Sequence, residues 1–207
     1  MKKKSMFRKT AFALGTGVAV VMAVLAALLC VDVIDTLAQD ELKEASFCSF
    51  VIPPEFVPGD EKGQFINKNY PMESSSINYS YYDNGLDNLP TNRERETMPE
   101  DAVVKVTDET QNLTKEIYQE TMSAAYNSAY GENVGYSVSS FKKINVDGYP
   151  GYKIEASFSA ANDEEAVHQT VFMLLSRYRT FTITYQRADD DDCQEFFDES
   201  SGTIHVH

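Results

Sequence analysis

The chain has 207 residues, which is enough for one domain of ordinary size after an N-terminal segment. Its net charge is −14, from 18 basic and 32 acidic residues. Five of the basic residues precede Ala11 and no acid precedes Asp32, so the remainder carries 13 basic and 32 acidic residues, a net charge of −19. Such a surface repels nucleic acid and anionic lipid headgroups, which excludes nucleic acid as a partner.

The N-terminus has the pattern of a membrane-insertion signal. Residues 1–10 form a basic flank, and residues 11–31 form an apolar run of 21 residues without a charge. About 20 apolar residues span a bilayer, whereas a cleaved signal has a core of roughly 7–15. We therefore expect a single-pass anchor with a cytoplasmic N-terminus and everything after it outside the cell membrane. The alternative is a secreted protein, cleaved near Ala38, where Thr36 and Ala38 are small residues framing Leu37.

The rest of the chain divides into an acidic linker, residues 32–45, and one extracytoplasmic domain, residues 46–207. Cys30 lies in the apolar run, so Cys48 and Cys193 are the only cysteines of the domain. The compartment permits disulfides. Both thiols are predicted to face a core, either as a disulfide or as two unpaired buried thiols.

The first half of the domain mixes short strands with one helix. Alternation predicts a strand over residues 47–52, ended by Pro53 and Pro54, and another over 76–82 with Tyr79 and Tyr81 on one face. Residues 58–71 are predicted to be irregular, and 83–99 a long polar loop. Residues 113–130 are predicted to form an amphipathic helix. Its apolar half includes Ile117, and its polar half contains Lys115, Glu116, Gln119, Ser123 and Asn127.

The second half is rich in strands. Residues 134–141 and 142–146 are candidate strands, and Asp147-Gly148 is a hairpin turn signal before an alternating strand over 152–158. The uninterrupted apolar run 171–175 predicts a central strand covered on both faces. Its odd-numbered residues, Val171, Met173 and Leu175, share one face, and Phe172 and Leu174 share the other.

The last elements complete an antiparallel α+β domain. A strand over residues 181–185 leads to an acidic run at 189–192, which is expected to be a solvated start of a short helix ending at Glu199. Ile204 and Val206 are predicted to close the chain as a short strand. An antiparallel sheet built of hairpins with helices packed on it is the predicted fold class.

Four short segments of the sequence together resemble the PsbP-like family. They are Phe47-x-x-Phe50-x-Ile52-Pro53, Ile144-x-Val146-Asp147-Gly148-Tyr149-Pro150-x-Tyr152, His168-Gln169 and Phe181-x-Ile183-x-Tyr185. Gly151 departs from the usual pattern between Pro150 and Tyr152. This fold is shared by the extrinsic oxygen-evolving subunit of photosynthesis and by a Ran-binding nuclear import factor. The resemblance implies an α/β/α sandwich, here in a bacterial membrane-anchored relative.

The resemblance also implies a function and a candidate metal site. It implies a non-enzymatic adaptor or assembly role, although such folds host unrelated functions. Some family members hold a divalent metal with a histidine at the position of His168 and an aspartate after the following strand, here Asp189 or Asp190. Imidazole and carboxylate suit zinc or manganese, but two ligands do not make a site. The alternative is that His168 is simply a residue at a strand edge.

Three functions remain open at this point. The first is a membrane-tethered binding or assembly module without catalytic activity, whose partner is an envelope protein docking on an edge strand or near Tyr79, Tyr81 and the loop 83–99. The second is an envelope enzyme with its acidic site hidden among many surface acids, although no nucleophile-elbow or phosphate-loop motif is present. The third is a metal-responsive sensor that uses His168.

Overall fold

The structure is a computed structural model that describes residues 42–83, 113–130, 134–159, 166–177 and 179–207. The predicted basic flank, the anchor at 11–31, most of the linker and most of the loop at 83–99 lie outside these residues. Within the described ranges, no helix has the length and apolar character needed to cross a bilayer.

Seven strands form one sheet in which every neighbouring pair is antiparallel. The spatial order is β2-β3-β4-β8-β7-β6-β5. The bounds are β2 Phe56–Pro58, β3 Gln64–Asn67, β4 Ser76–Asp83, β5 Ser137–Val146, β6 Tyr149–Phe158, β7 Val167–Leu175 and β8 Arg179–Ala188. The predicted antiparallel α+β class is confirmed.

Strand β7 lies between β6 and β8 and is buried on both faces. Val171, Met173 and Leu175 pack in the hydrophobic cluster beneath helix α1, Lys115–Tyr130. Phe172 and Leu174 pack in the cluster beneath helix α2, Gln194–Ser201. The prediction of a central strand, with these two sets of residues on opposite faces, is confirmed. The sheet is therefore the middle layer between the two helices.

Helix α1 begins two residues later than predicted, and its buried stripe is shifted: Tyr118 and Met122 belong to the predicted apolar half, and Tyr126 does not. Its buried residues are Tyr118, Met122 and Tyr126. Ile117, which was expected on the apolar face, is 46% exposed. The large aromatic rings decide the orientation: Tyr126 packs 4.6 Å from the ring of Phe158 on β6, centroid to centroid. Since aromatic side chains bury the most area, their contacts outweigh that of one isoleucine.

The predicted polar half of α1 is partly occupied by the chain leading into β5. The backbone N–H groups of Val134 and Val138 donate to the side chains of Asn127, at 3.2 Å, and Gln119, at 3.0 Å. The Ser123 hydroxyl donates to the Tyr136 carbonyl at 3.3 Å. These bonds satisfy backbone groups at the sheet edge, where no further strand among the described residues pairs with β5.

The hairpin between β5 and β6 has the predicted turn. Asp147 and Gly148 both have positive φ, at 54° and 86°, as a type I′ turn requires. The two strands predicted at 134–141 and 142–146 are instead the single strand β5, with an irregularity between Val138 and Ser140. This bulge does not coincide with the predicted break between Phe141 and Lys142, where the pairing with β6 is continuous.

The predicted strand at 47–52 is wrong in extent. Only Cys48–Ser49 (β1) is a strand, and it pairs with the last strand, His205–Val206 (β9), apart from the large sheet. Backbone N–H groups of Ser46 and Phe47 donate to the carbonyl of His207. We call residues 42–52 the N-terminal strap, because they lie along the α2 side of the domain and bond mainly to the C-terminus and to turns.

Residues 58–71 are more ordered than predicted. They contain the end of β2 and the whole of β3, which pairs with β4. Gly63 has a φ of 80°, and its carbonyl accepts the N–H of Tyr79 at 2.7 Å. Because this segment contains glycines and polar residues, its short strand lacks the alternating hydrophobicity by which a strand is predicted from sequence.

Candidate functional site: an apolar groove beside helix α2

The structure brings His168 and Asp189 together. His168 lies near the start of β7, Asp189 follows the end of β8, and the antiparallel pairing of these strands places the His168 Nε2 in contact with the Asp189 Oδ1. Both side chains are substantially exposed, at 39% and 57%. The pair has the geometry of a surface ion pair when the imidazole is protonated.

The surroundings of this pair limit its use as a metal site. Arg187 is the cross-strand neighbour of His168, so a cation already lies beside the imidazole. Asp190 is exposed in the same turn. Within the described residues, no three His, Cys, Asp or Glu side chains are grouped so as to hold a metal ion. The metal site at His168, Asp189 and Asp190 stays a prediction.

The aspartate with a structural role in the acidic run is Asp191, which was expected to be solvated and is instead buried. Its carboxylate accepts the N–H of Ala188 at 2.9 Å and both the N–H, at 3.1 Å, and the hydroxyl of Ser74. Burial raises the pKa of Asp191, and these hydrogen bonds oppose that shift. The carboxylate therefore ties the loop before β4 to the end of β8. Four consecutive aspartates give no sign of which one faces inward.

Cys48 and Cys193 are both buried and free in the structure, in the cluster beneath α2. Burial raises the pKa of Cys48 to about 12, with a further contribution from the Asp147 carboxylate. Burial also raises the pKa of Cys193 to about 11. Thiols with such pKa values are protonated and unreactive near neutral pH. The disulfide between them stays a prediction.

The predicted docking surface around Tyr79 and Tyr81 is partly occupied. Tyr79 is half-buried and packs against Phe50 of the N-terminal strap, with 5.8 Å between ring centroids. Tyr81 is 47% exposed, and the guanidinium of Arg179 lies 5.2 Å from its ring centroid. Arg179 also donates to Asp83 at 2.6 Å. The strap thus covers Tyr79, whereas Tyr81 stays exposed beside Arg179.

A groove of about 380 Å³ lies where the chain leaves the strap and passes α2. Its apolar lining is Val51, Pro53, Pro54 and Phe196, and its acidic lining is Glu55 and Glu199. Val51 is 60% exposed, which is high for a valine in a packed domain. The sequence pattern predicts that Pro53 and Pro54 end a strand. It contains no indication that the side chains of these prolines face a helix.

Hydrogen bonds join the walls of the groove. The backbone N–H of Val51 donates to the hydroxyl of Thr203 at 2.8 Å, and the hydroxyl of Ser200 donates to the carbonyl of Val51 at 2.6 Å. Beneath it, the ring of Phe197 packs between Phe56 and Tyr185, at 5.6 and 5.2 Å. These hydrogen bonds attach the strap to the C-terminal end of α2 and to Thr203 just after it.

A second, smaller groove of about 140 Å³ lies at β5 and β6, beside Gly151. The carboxyl groups whose pKa values shift, Asp147 and Asp191, line neither groove. An enzyme needs a pocket with a strongly perturbed acid or base. Neither of these two grooves combines a pocket with such a group.

Asp147 is the basis of a pH prediction for the end of the domain where the termini meet. Its carboxylate accepts the N–H of Val206 and contacts the His205 imidazole, both at 3.0 Å, and these bonds hold the pKa of Asp147 below its ordinary value of 3.8. The stability that they contribute is complete above pH 3.8 and is lost as the pH falls through the lowered pKa. We expect melting curves recorded between pH 2 and 7 to show that the Asp147→Asn variant loses less thermal stability at acidic pH than the unaltered protein does. Identical pH profiles would contradict this role.

Comparison with known proteins supports the fold. No protein-family model matches the chain, and no curated protein matches it. The solution structure of PsbP from the cyanobacterium Synechocystis matches 77% of this chain and 86% of its own, with a TM-score of 0.51 and 16% identity.

Two further solved structures match less well. LpqN, a Mycobacterium tuberculosis protein involved in cell envelope biogenesis, matches 79% of this chain and 86% of its own, with a TM-score of 0.42 and 10% identity. A Pseudomonas aeruginosa protein of unknown function matches 78% of this chain and 83% of its own, with a TM-score of 0.36 and 8% identity. The match to PsbP shows that the described domain has a PsbP-like fold.

Proposed function

We propose that this protein is a membrane-tethered, extracytoplasmic binding or assembly module without catalytic activity. The observation that carries the proposal is the groove at Val51 and Phe196: it is apolar, bordered by segments that hydrogen bonds join, and contains none of the shifted acids. A surface of this kind suits contact with another protein better than chemistry on a substrate. The PsbP-like fold supports the same class of role, as an expectation from the resemblance.

The location is proposed from the N-terminal pattern. A basic flank before 21 uncharged residues keeps the N-terminus in the cytoplasm and places the acidic domain outside. We expect N-terminal sequencing of the membrane fraction to give the unprocessed N-terminus. A mature protein that begins at Gln39 would instead show a cleaved signal and a secreted domain, and the extracytoplasmic location would stand.

Site-specific photo-crosslinking tests the binding role. A photoreactive residue replaces Val51 in the full chain, in cells, and a matched one replaces Ile117, which is also exposed but lies on α1 at the opposite face of the sheet. We expect one discrete adduct from position 51 and no such adduct from position 117. When the partner identified from this adduct is then purified from the cells, the adduct should be recovered with it. Adducts of equal pattern at both positions would mean that the groove is not a binding site.

A divalent-metal sensor is the second candidate, and the contact between His168 and Asp189 favours it. Zinc needs at least one more protein ligand at this position. On this proposal, calorimetry with zinc and the full chain gives saturable binding that His168→Ala abolishes. Equal weak binding to both proteins would show diffuse attraction to an acidic surface and overturn the sensor proposal.

A further inference from the structure

Within the part of the chain that the structure describes, the acidic side chains of the groove have no partner of opposite charge. The Glu55 Oε2 atom is buried and accepts no hydrogen bond. Among the ion pairs of the described residues, none involves Glu55 or Glu199. A buried oxygen without a donor costs free energy in the isolated protein. A donor in the groove would remove this cost when the Glu55 carboxylate turns to meet it.

Helix α2 adds negative potential at the same place. Glu199 lies near the C-terminal end of α2, where the carbonyl ends of the peptide dipoles are negative. The last turn of the helix contains no basic residue. Acids at this end are locally unfavourable, and a cation there is favourable. The groove therefore attracts positive charge from two directions, Glu55 on one wall and Glu199 on the other.

The floor between these acids is apolar, so a cation alone does not fill the groove. Phe196 is partly buried at the edge of the cluster beneath α2, and Val51 and Pro54 are exposed. Covering these side chains with another apolar group removes their area from water. The occupant that fits both features has an apolar side chain next to a positively charged one.

We infer that the groove binds an exposed segment of another extracytoplasmic protein in which an apolar residue is flanked by lysine or arginine. This inference rests on the proposed function and specifies its partner chemistry. A second copy of this chain fits poorly, because two domains that each carry the excess of acids repel one another. A protein segment fits a groove of this size, which is open along the strap.

Two synthetic peptides test the inference. The probe is a fluorescent heptapeptide with alternating leucine and lysine, and its counterpart has glutamate in place of lysine. Each is titrated into the full chain in zwitterionic micelles, with protein-free micelles as the blank. We expect saturable binding of the lysine peptide, no binding of the glutamate peptide, and loss of binding when Phe196 is replaced by serine.

The variants separate groove binding from general attraction to an acidic protein. The double variant Glu55→Gln/Glu199→Gln is compared with Glu116→Gln/Glu120→Gln, an equal change of charge at exposed sites on α1. We expect the affinity for the lysine peptide to fall about tenfold or more in the first double variant and to stay unchanged in the second. Equal weakening in both, or equal binding of the two peptides, would overturn the inference.

The outcomes also separate this inference from the proposed function. If position 51 still crosslinks to a discrete partner in cells while the lysine peptide fails to bind, the binding role stands and the proposed chemistry is wrong. If sedimentation shows a dimer that Phe196→Ser abolishes, the groove holds a second copy, and the inference is overturned.

Discussion

Replacing Phe172 by alanine is expected to lower the free energy of unfolding by about 3–5 kcal/mol. Phe172 is 8% exposed, lies in the cluster beneath α2, and meets the ring of Tyr185 edge to face at 6.0 Å. Truncation removes this contact and leaves a cavity that the rigid sheet cannot close. Urea denaturation of the full chain, followed by circular dichroism because tryptophan is absent, measures the loss.

A companion variant on the other face makes the test specific. Met173 is 3% exposed beneath α1, so Met173→Ala is expected to cost about 2–5 kcal/mol. Ile117→Ala, at an exposed site, is the control and is expected to change stability by less than about 0.5 kcal/mol. A large loss at only one of the two strand positions would contradict a central strand packed on both faces.

The substitution Gly151→Ala adds a single methyl group and is expected to lower the free energy of unfolding by about 1–3 kcal/mol. Gly151 pairs with Leu174 across β6 and β7, and a Cβ built there would lie 2.3 Å from the carbonyl oxygen of Met173. That oxygen belongs to the backbone of the central strand and cannot move aside cheaply. A side chain at position 151 would therefore clash with the backbone of the central strand.

Gly202→Ala is the matched control, since it makes the same chemical change at a helix end. Gly202 has a φ of −67°, and the nearest atom to an added Cβ is 3.4 Å away. This substitution is expected to be neutral or to stabilise by about 0.4–1 kcal/mol, because alanine restricts the unfolded chain. Equal thermal shifts in the two variants would mean that the close approach at Gly151 is absent.

The strands that could be predicted are those whose signals are local. The run 171–175 is apolar at every position, and such a run requires cover on both faces whatever surrounds it. Asp147-Gly148 determines its hairpin because few residue pairs accept positive φ twice. The strand at 47–52 was overestimated, because its alternation also suits a strap whose polar backbone groups bond to Thr203 and His207.

The sequence by itself determined the charge of the domain, its antiparallel class and its central strand. All of these depend on residue type or on pairing between neighbours in the chain. The tertiary structure alone decided that Asp191 faces inward and that Val51, Glu55 and Phe196 line one groove. Val51 and Glu55 lie about 140 positions before Phe196, and only the packing of the strap against α2 brings them together.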